Sequence, residues 1–257
     1  MMRSNDGSAG DADYGEIGTA YARYRQPDPR IEARVHEALG SARTVLNVGA
    51  GSGSYEPIGR EVTAVEPSVS MRSQRPSHLA PAVDATAGDL PFPDNSFDAA
   101  MTTFSVHQWS DLGGGLREVR RVTRGPVVIL TCDPSLLRRF WLYEYAPEVI
   151  DAEARRYPSL MALADGLGGP TNESLVPVPL DCVDGFNEAY YGRPEALLDP
   201  LARLSCSAWS FVDETAHHRF SEQLGRDLEN GSWDDRFGHL RSQPAFDGSL
   251  VLVVSEQ

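Results

Sequence analysis

The stretch Val45-Leu-Asn-Val-Gly-Ala-Gly-Ser-Gly-Ser54 decides the fold. A short β-rich run, 44–48, enters Gly49, Ala50, Gly51 and Gly53. Glycines let a strand turn sharply and let a ligand approach its peptide groups closely. A short helix behind them, limited by Pro57, would offer free N–H groups to a negative group. A second β-rich run, 61–65, ends on Glu66-Pro67-Ser68. An acid at the end of the second strand accepts both hydroxyls of a ribose. The spacing is G-x-G-x-G, not the G-x-G-x-x-G that brings a pyrophosphate to a dinucleotide fold. The two features together suit a nucleoside-containing cofactor that carries a carboxylate where a dinucleotide carries pyrophosphate.

Working outward, strands and helices alternate. Strand signals fall at 97–104, 126–131 and 248–254, with weaker runs at 81–86 and 175–178. Helical signals fall at 30–39, where Ile31, Val35, Ala38 and Leu39 share a side, and at 113–123, where Leu116, Val119 and Val122 do. The alternation predicts an α/β protein with a doubly wound, mostly parallel, seven-stranded sheet and ligands at the carboxyl ends of its strands. Residues 133–247 are too long for a connection and hold aromatic clusters, so part of them is expected to form a helical cap. The predicted organisation is a disordered tail at 1–13, cap helices at 14–40, a cofactor-binding core at 41–135, further core elements and the cap at 136–247, and a closing strand within 248–257.

Composition excludes several chemistries. All 23 basic residues are arginine and none is lysine, which rules out a lysine Schiff base, a P-loop and a kinase strand lysine. Asp and Glu number 37, and the net charge of −14 argues against a nucleic-acid partner. No apolar run is long enough to span a membrane. Residues 1–14 are polar and acidic, unlike a signal peptide. Cys132, Cys182 and Cys206 form neither a disulfide framework nor a CxxC pair, and they point to a reduced cytoplasm. His217-His218 lacks a carboxylate or thiol at ligand spacing, so no metal is expected.

The sequence resembles the class I S-adenosylmethionine-dependent methyltransferases of the type 11 group. Beyond the glycines, Leu90-Pro-Phe-Pro-Asp-Asn-Ser-Phe-Asp98, Phe104-Ser-Val-His-Gln-Trp109 and Glu118-Val-Arg-Arg-Val122 carry the resemblance, strongly over residues 45–134. The opening 14–25 and Pro27-Asp-Pro-Arg-Ile31 are similar to an actinobacterial small-molecule branch. The resemblance implies a Rossmann-like methyltransferase fold with S-adenosyl-L-methionine as cofactor. It implies that Gly49, Gly51 and Gly53 line the methionine and ribose part, that Glu66 beside Pro67 holds the ribose, and that Met71 lies near the adenine. Thr86, Ala87 and Gly88 take the adenine-amine position, with Thr86 standing where many relatives have Asp. Phe104 and Ser105 contact the cofactor, and Tyr21 and Arg25 reach its carboxylate.

For catalysis, His107 is the candidate base, against a packing role. Trp141, Tyr145, Tyr190 and Tyr191 are candidates to enclose an aromatic or cationic acceptor, against packing the cap onto the sheet. Asp181, Asp184 and Arg193 are candidates to orient it. The expected function is C-, N- or O-methylation of a small molecule, a natural-product intermediate. The rivals are a cofactor-bound cyclase or isomerase, a nicotinamide-dependent reductase and a noncatalytic cofactor sensor. The sequence is silent on oligomeric state.

Overall fold

The computed structural model describes residues 21–256, with side chains from Arg23 onward. The expected tail at 1–13 lies outside the described residues, as does the Tyr21 side chain. The described residues begin with two helices, α1 (Tyr21–Tyr24) and α2 (Pro29–Ala38). Asp28 starts α2 by accepting the Arg30 N–H at 3.0 Å, with Pro29 in the first turn, where a missing N–H costs nothing.

The strands follow as β1 (Thr44–Val48), β2 (Glu61–Val65), β3 (Ala99–Thr103), β4 (Val127–Cys132), β5 (Asn172–Leu175), β6 (Val178–Pro179), β7 (Ala245–Phe246) and β8 (Leu250–Ser255). The main sheet runs β2-β1-β3-β4-β8-β5. Its first four strands are parallel, and β8 is antiparallel to both β4 and β5. Among the described residues this sheet has six strands, not seven. The run at 81–86 reduces to one parallel bridge, Val65 to Val83, in which Val83 donates to the Ala64 carbonyl at 2.8 Å and accepts from the Glu66 N–H at 3.0 Å. Pro81 cannot donate to the ladder, which keeps this edge short. The run at 175–178 divides: Leu175 ends β5, while Val178 starts β6, which pairs with β7 outside the main sheet.

Both faces of the sheet are covered. On one face Val45, Met101, Val128 and Leu130 pack with Ile31, Val35 and Leu39 of α2 and with the aromatic residues of 136–247. On the other, Leu46, Ala100, Val127 and Ile129 pack with Leu116, Val119 and Val122 of α4 (Leu112–Val122), and with Leu163 and Leu167 of α7 (Leu160–Leu167). Between β2 and β3 lies α3 (Val69–Ser73), capped by Ser68, whose Oγ accepts the Met71 N–H at 3.2 Å. Before α7 come α5 (Leu142–Tyr145) and α6 (Pro147–Arg156); after β6 come α8 (Pro200–Leu204), α9 (Glu214–Glu229) and α10 (Ser232–Phe237). Residues 136–247 thus supply one helix and one strand to the central layers, and a cap packed on one face. No helix among the described residues is long and apolar enough to cross a membrane.

Candidate active site

A cleft with about 1090 Å³ of open space, counted to its mouth, lies at the carboxyl ends of β1, β2 and β3. This is where the switch in strand order of an open α/β sheet creates a crevice. Arg25, Gly49, Ala50, Gly51, Glu66, Pro67, Met71, Thr86, Ala87, Gly88, Phe104 and Ser105, twelve of the residues expected at the cofactor, line it together. Tyr55, Trp109 and Asp184 line it too.

The glycine turn differs from the helix start expected of it. Residues 49–60 form successive turns and no helix, because positive φ recurs at Gly49, Gly51, Gly53, Tyr55 and Gly59. Its N–H groups hold the loop itself: Gly49 and Ala50 both donate to the Val65 carbonyl, at 2.9 and 3.0 Å, and Gly53 donates to the Ala50 carbonyl at 2.9 Å. Gly51 donates to Glu66 Oε2 at 2.8 Å. The turn therefore positions an acid instead of presenting a row of donors to an anion. Gly53 does not line the cleft; it packs against Leu79 and Arg75, where a Cβ would overlap Leu79. A buried pair anchors the turn from behind. Arg75 donates two hydrogen bonds to Glu56, at 2.9 and 3.0 Å, and Asn47 Nδ2 donates to the same carboxylate at 3.0 Å. Sequence spacing offered no sign of this pair.

Glu66 is 7% exposed. Besides the Gly51 bond, its Oε1 accepts the Ser68 N–H at 2.8 Å. Each oxygen is thus oriented by a backbone donor, and a carboxylate oxygen can accept more than one hydrogen bond. Behind β3, Ser105 Oγ meets Thr102 Oγ1 at 2.7 Å, the Val48 carbonyl at 3.1 Å and Trp109 Nε1 at 3.1 Å. That hub ties the end of β1 to the end of β3.

Arg25 stands at the edge of the cleft, its guanidinium 4.9 Å from the centre of the Phe104 ring. Its Nε donates to Asp184 Oδ1 at 2.5 Å, and the Tyr55 hydroxyl donates to Asp184 Oδ2 at 2.7 Å. Burial, with the Asp184 charge next, pushes the Tyr55 hydroxyl well above its ordinary value. Phe104 has φ of +51°, a conformation unusual for an aromatic residue.

Behind Arg25 and Phe104 lies a second, much tighter space with a cavity volume of about 30 Å³. Its walls include both of those residues together with His107, Glu153, Tyr157, Asn187 and Cys206. His107 turns into this chamber rather than the cofactor cleft, its ring 4.5 Å from that of Tyr157. Burial, helped by Arg156 and Arg25, pushes the imidazole well below its ordinary value. A neutral imidazole accepts a hydrogen bond, but an acidic imidazolium is a poor resting place for a proton.

The other expected catalytic residues stand elsewhere. The Tyr145 hydroxyl donates to Asp227 at 2.8 Å, and its ring meets Trp141 edge-on. The Tyr191 hydroxyl donates to the Gln243 carbonyl at 2.6 Å, and its ring stacks on Phe246. Both are buried in the cap and line neither space. Asp181 is 80% exposed and pairs with Arg30 at 2.6 Å, away from the cleft. The cap aromatics, Trp141 among them, interlock with Trp233 and Phe237 because their combined ring area is better buried together than left in water.

Comparison with known proteins agrees with this geometry. The profile of the family described as "Methyltransferase domain" matches residues 46–129. A demethylmenaquinone methyltransferase of Tropheryma whipplei is 35% identical over 106 residues, 37% of this chain and 44% of that protein. The chain thus matches less than half the length of that relative. A demethylmenaquinone methyltransferase of Porphyromonas gingivalis is 30% identical over 177 residues, 58% of this chain and 69% of that protein. Among solved structures, a putative methyltransferase from an antibiotic biosynthesis pathway of Anabaena variabilis superposes with a TM-score of 0.83 at 28% identity, covering 91% of this chain and 99% of that one. The chain belongs to the class I S-adenosylmethionine-dependent methyltransferases.

The cleft fits the cofactor of that family. It offers a buried, oriented carboxylate for paired hydroxyls, apolar walls at Met71, Ala85 and Ala87, and the Arg25 guanidinium at one edge.

Proposed function

We propose that this protein transfers a methyl group from S-adenosyl-L-methionine to a small-molecule acceptor, a natural-product intermediate. When bound, the cofactor would supply a sulfonium-activated methyl group for transfer to a nucleophilic atom of the acceptor.

In this reading Glu66 receives the two ribose hydroxyls. Met71 and the turn Thr86-Ala87-Gly88 border the adenine, with Ala87 and Gly88 contributing backbone where Thr86 replaces the family's Asp. Arg25 faces the cofactor carboxylate, its charge already shared with Asp184. Phe104 and Ser105 close the methyl end, and proximity and orientation supply most of the rate. The observation that carries the reading is the Glu66 carboxylate, fixed by the Gly51 and Ser68 N–H groups at the end of the second strand.

A small acceptor is supported by the net charge of −14, which opposes a nucleic-acid backbone. The natural-product assignment is supported by the likeness to the Anabaena protein, and a cytoplasmic setting by three reduced, buried cysteines. The test is calorimetric titration with S-adenosylhomocysteine and, separately, NADH. Heat and saturation with the first alone support the reading; the reverse pattern overturns it.

A further inference from the structure

One wall of the cofactor cleft carries a positive and a negative group side by side. Arg25 is the only basic residue lining the cleft among the described residues. Its Nε donates to Asp184 Oδ1 at 2.5 Å, and Asp184 lines the same cleft. The pair stands by Phe104, which directly follows β3, whereas Glu66 directly follows β2. In the sheet order β2-β1-β3 this places the pair across the glycine turn from the ribose acid.

Asp184 comes from the cap and is held firmly in the cleft wall. Arg25 and Asp184 form an isolated antiparallel bridge, and the Gly185 N–H donates to the Tyr24 carbonyl at 2.7 Å. A Cβ on Gly185 would overlap that carbonyl, so the two segments approach this closely because the residue is glycine. The Val183 N–H donates to Asp28 Oδ2 at 3.2 Å, and Arg30 fixes Asp28 in turn with bonds of 3.0 and 2.8 Å. The Tyr55 hydroxyl reaches Asp184 Oδ2 at 2.7 Å from the glycine turn. The carboxylate is therefore oriented by three segments, and its oxygens can each accept more than one hydrogen bond.

Charge decides what such a wall receives. The amino-acid end of the cofactor carries an anion and a cation on one carbon. Wherever its carboxylate meets Arg25, its ammonium arrives in the same neighbourhood. An ammonium left beside a guanidinium in a largely buried setting is strongly disfavoured without an acid of its own. The acids lining the cleft are Glu66, Asp111 and Asp184. Glu66 stands at the ribose, and Asp111 is the exposed cap of α4, accepting the Gly114 N–H at 2.8 Å. Asp184 is the one in contact with Arg25, so the pair presents opposite charges in the spacing a zwitterion needs.

We propose that Asp184 receives the α-ammonium of the cofactor while Arg25 takes its carboxylate, so that a cap residue serves the cofactor rather than the acceptor. The cap and the glycine turn then bind one ligand jointly. The proposal rests on the methyltransferase reading above.

The test is calorimetric titration of the full chain with S-adenosylhomocysteine and with two analogues, one having hydrogen in place of the α-ammonium and one having hydrogen in place of the α-carboxylate. The wild-type protein should bind the deaminated analogue about tenfold more weakly than S-adenosylhomocysteine, or worse. Asp184→Asn keeps the shape and an acceptor for Tyr55. It should weaken S-adenosylhomocysteine and the decarboxylated analogue by about tenfold each, and leave the deaminated analogue bound at least as well as before. Loss of affinity for all three ligands alike would mark Asp184 as structural and overturn the proposal. So would equal wild-type binding of the deaminated analogue, or unchanged S-adenosylhomocysteine affinity in the variant. If Asp184→Asn fails to fold, a crystal structure of the wild-type complex decides: an ammonium nitrogen within about 3 Å of an Asp184 oxygen supports the proposal, and one beyond about 4 Å overturns it. Failure of the wild-type protein to bind S-adenosylhomocysteine or either analogue would instead remove the methyltransferase reading, and this proposal with it.

Discussion

Gly51 and Glu66 are joined by a 2.8 Å hydrogen bond from the glycine N–H to carboxylate Oε2, which couples the first strand's turn to the end of the second. Turn and acid therefore act as one unit. Glu66→Ala removes both the proposed ribose acceptor and the partner of the Gly51 and Ser68 N–H groups. Charge-assisted hydrogen bonds contribute roughly 1.5–3 kcal/mol each, so S-adenosylhomocysteine affinity should fall by tenfold or more. Calorimetric titration of the variant measures this, and unchanged affinity removes Glu66 from the site.

Gly49 has φ of +68°, and a Cβ there would overlap Ser105 Oγ. Ser105 holds Val48, Thr102 and Trp109 together, so it cannot yield without opening the cleft. Gly49→Ala should lose more than about 1 kcal/mol of stability and weaken cofactor binding as well. Urea unfolding with a parallel titration checks both effects.

Arg25 and Asp184 form a largely buried pair, with side chains 11% and 3% exposed. Removing one partner of such a pair leaves an uncompensated charge and typically costs about 3–5 kcal/mol. Asp184→Ala should approach that loss, and Arg25→Ala/Asp184→Ala together should cost less than the two single changes added. Additive losses in urea unfolding would show that the two residues are not coupled.

Glu188 is buried, and both of its oxygens accept from the Ser249 N–H, at 3.0 and 2.9 Å. Burial raises its pKa from 4.5 to about 7. Between those values the folded chain keeps a proton that the unfolded chain releases, so this group's contribution to stability falls as pH rises through the window. Wild-type Tm relative to that of Glu188→Gln should therefore decline from about pH 5 to about pH 8. A difference that stays constant across that range would place the Glu188 pKa near its ordinary value.

The parts of the fold legible in the sequence were those with local signals. The runs forming β1, β2, β4 and β8 are β-rich and bounded by breakers, and α2 and α4 carry one apolar face each. The cofactor cleft was legible for the same reason, since its walls come from turns directly after strands. The strand count was over-read, because an edge run that starts with Pro81 looks β-like yet cannot complete a ladder. The cap was least legible. Tyr145 and Tyr191 offered rings and hydroxyls suited to a ligand, but Asp227 and Gln243, far along the chain, satisfy them instead. Glu153 gave no local sign, being one of several acids on α6, and only tertiary packing brings it beside Asn187 and His107.

The most direct test of the central claim is calorimetric titration of S-adenosylhomocysteine into the wild-type protein, with NADH as the competing cofactor. The account predicts saturable binding of S-adenosylhomocysteine at a single site and no response to NADH. Saturable NADH binding with no heat from S-adenosylhomocysteine would contradict it.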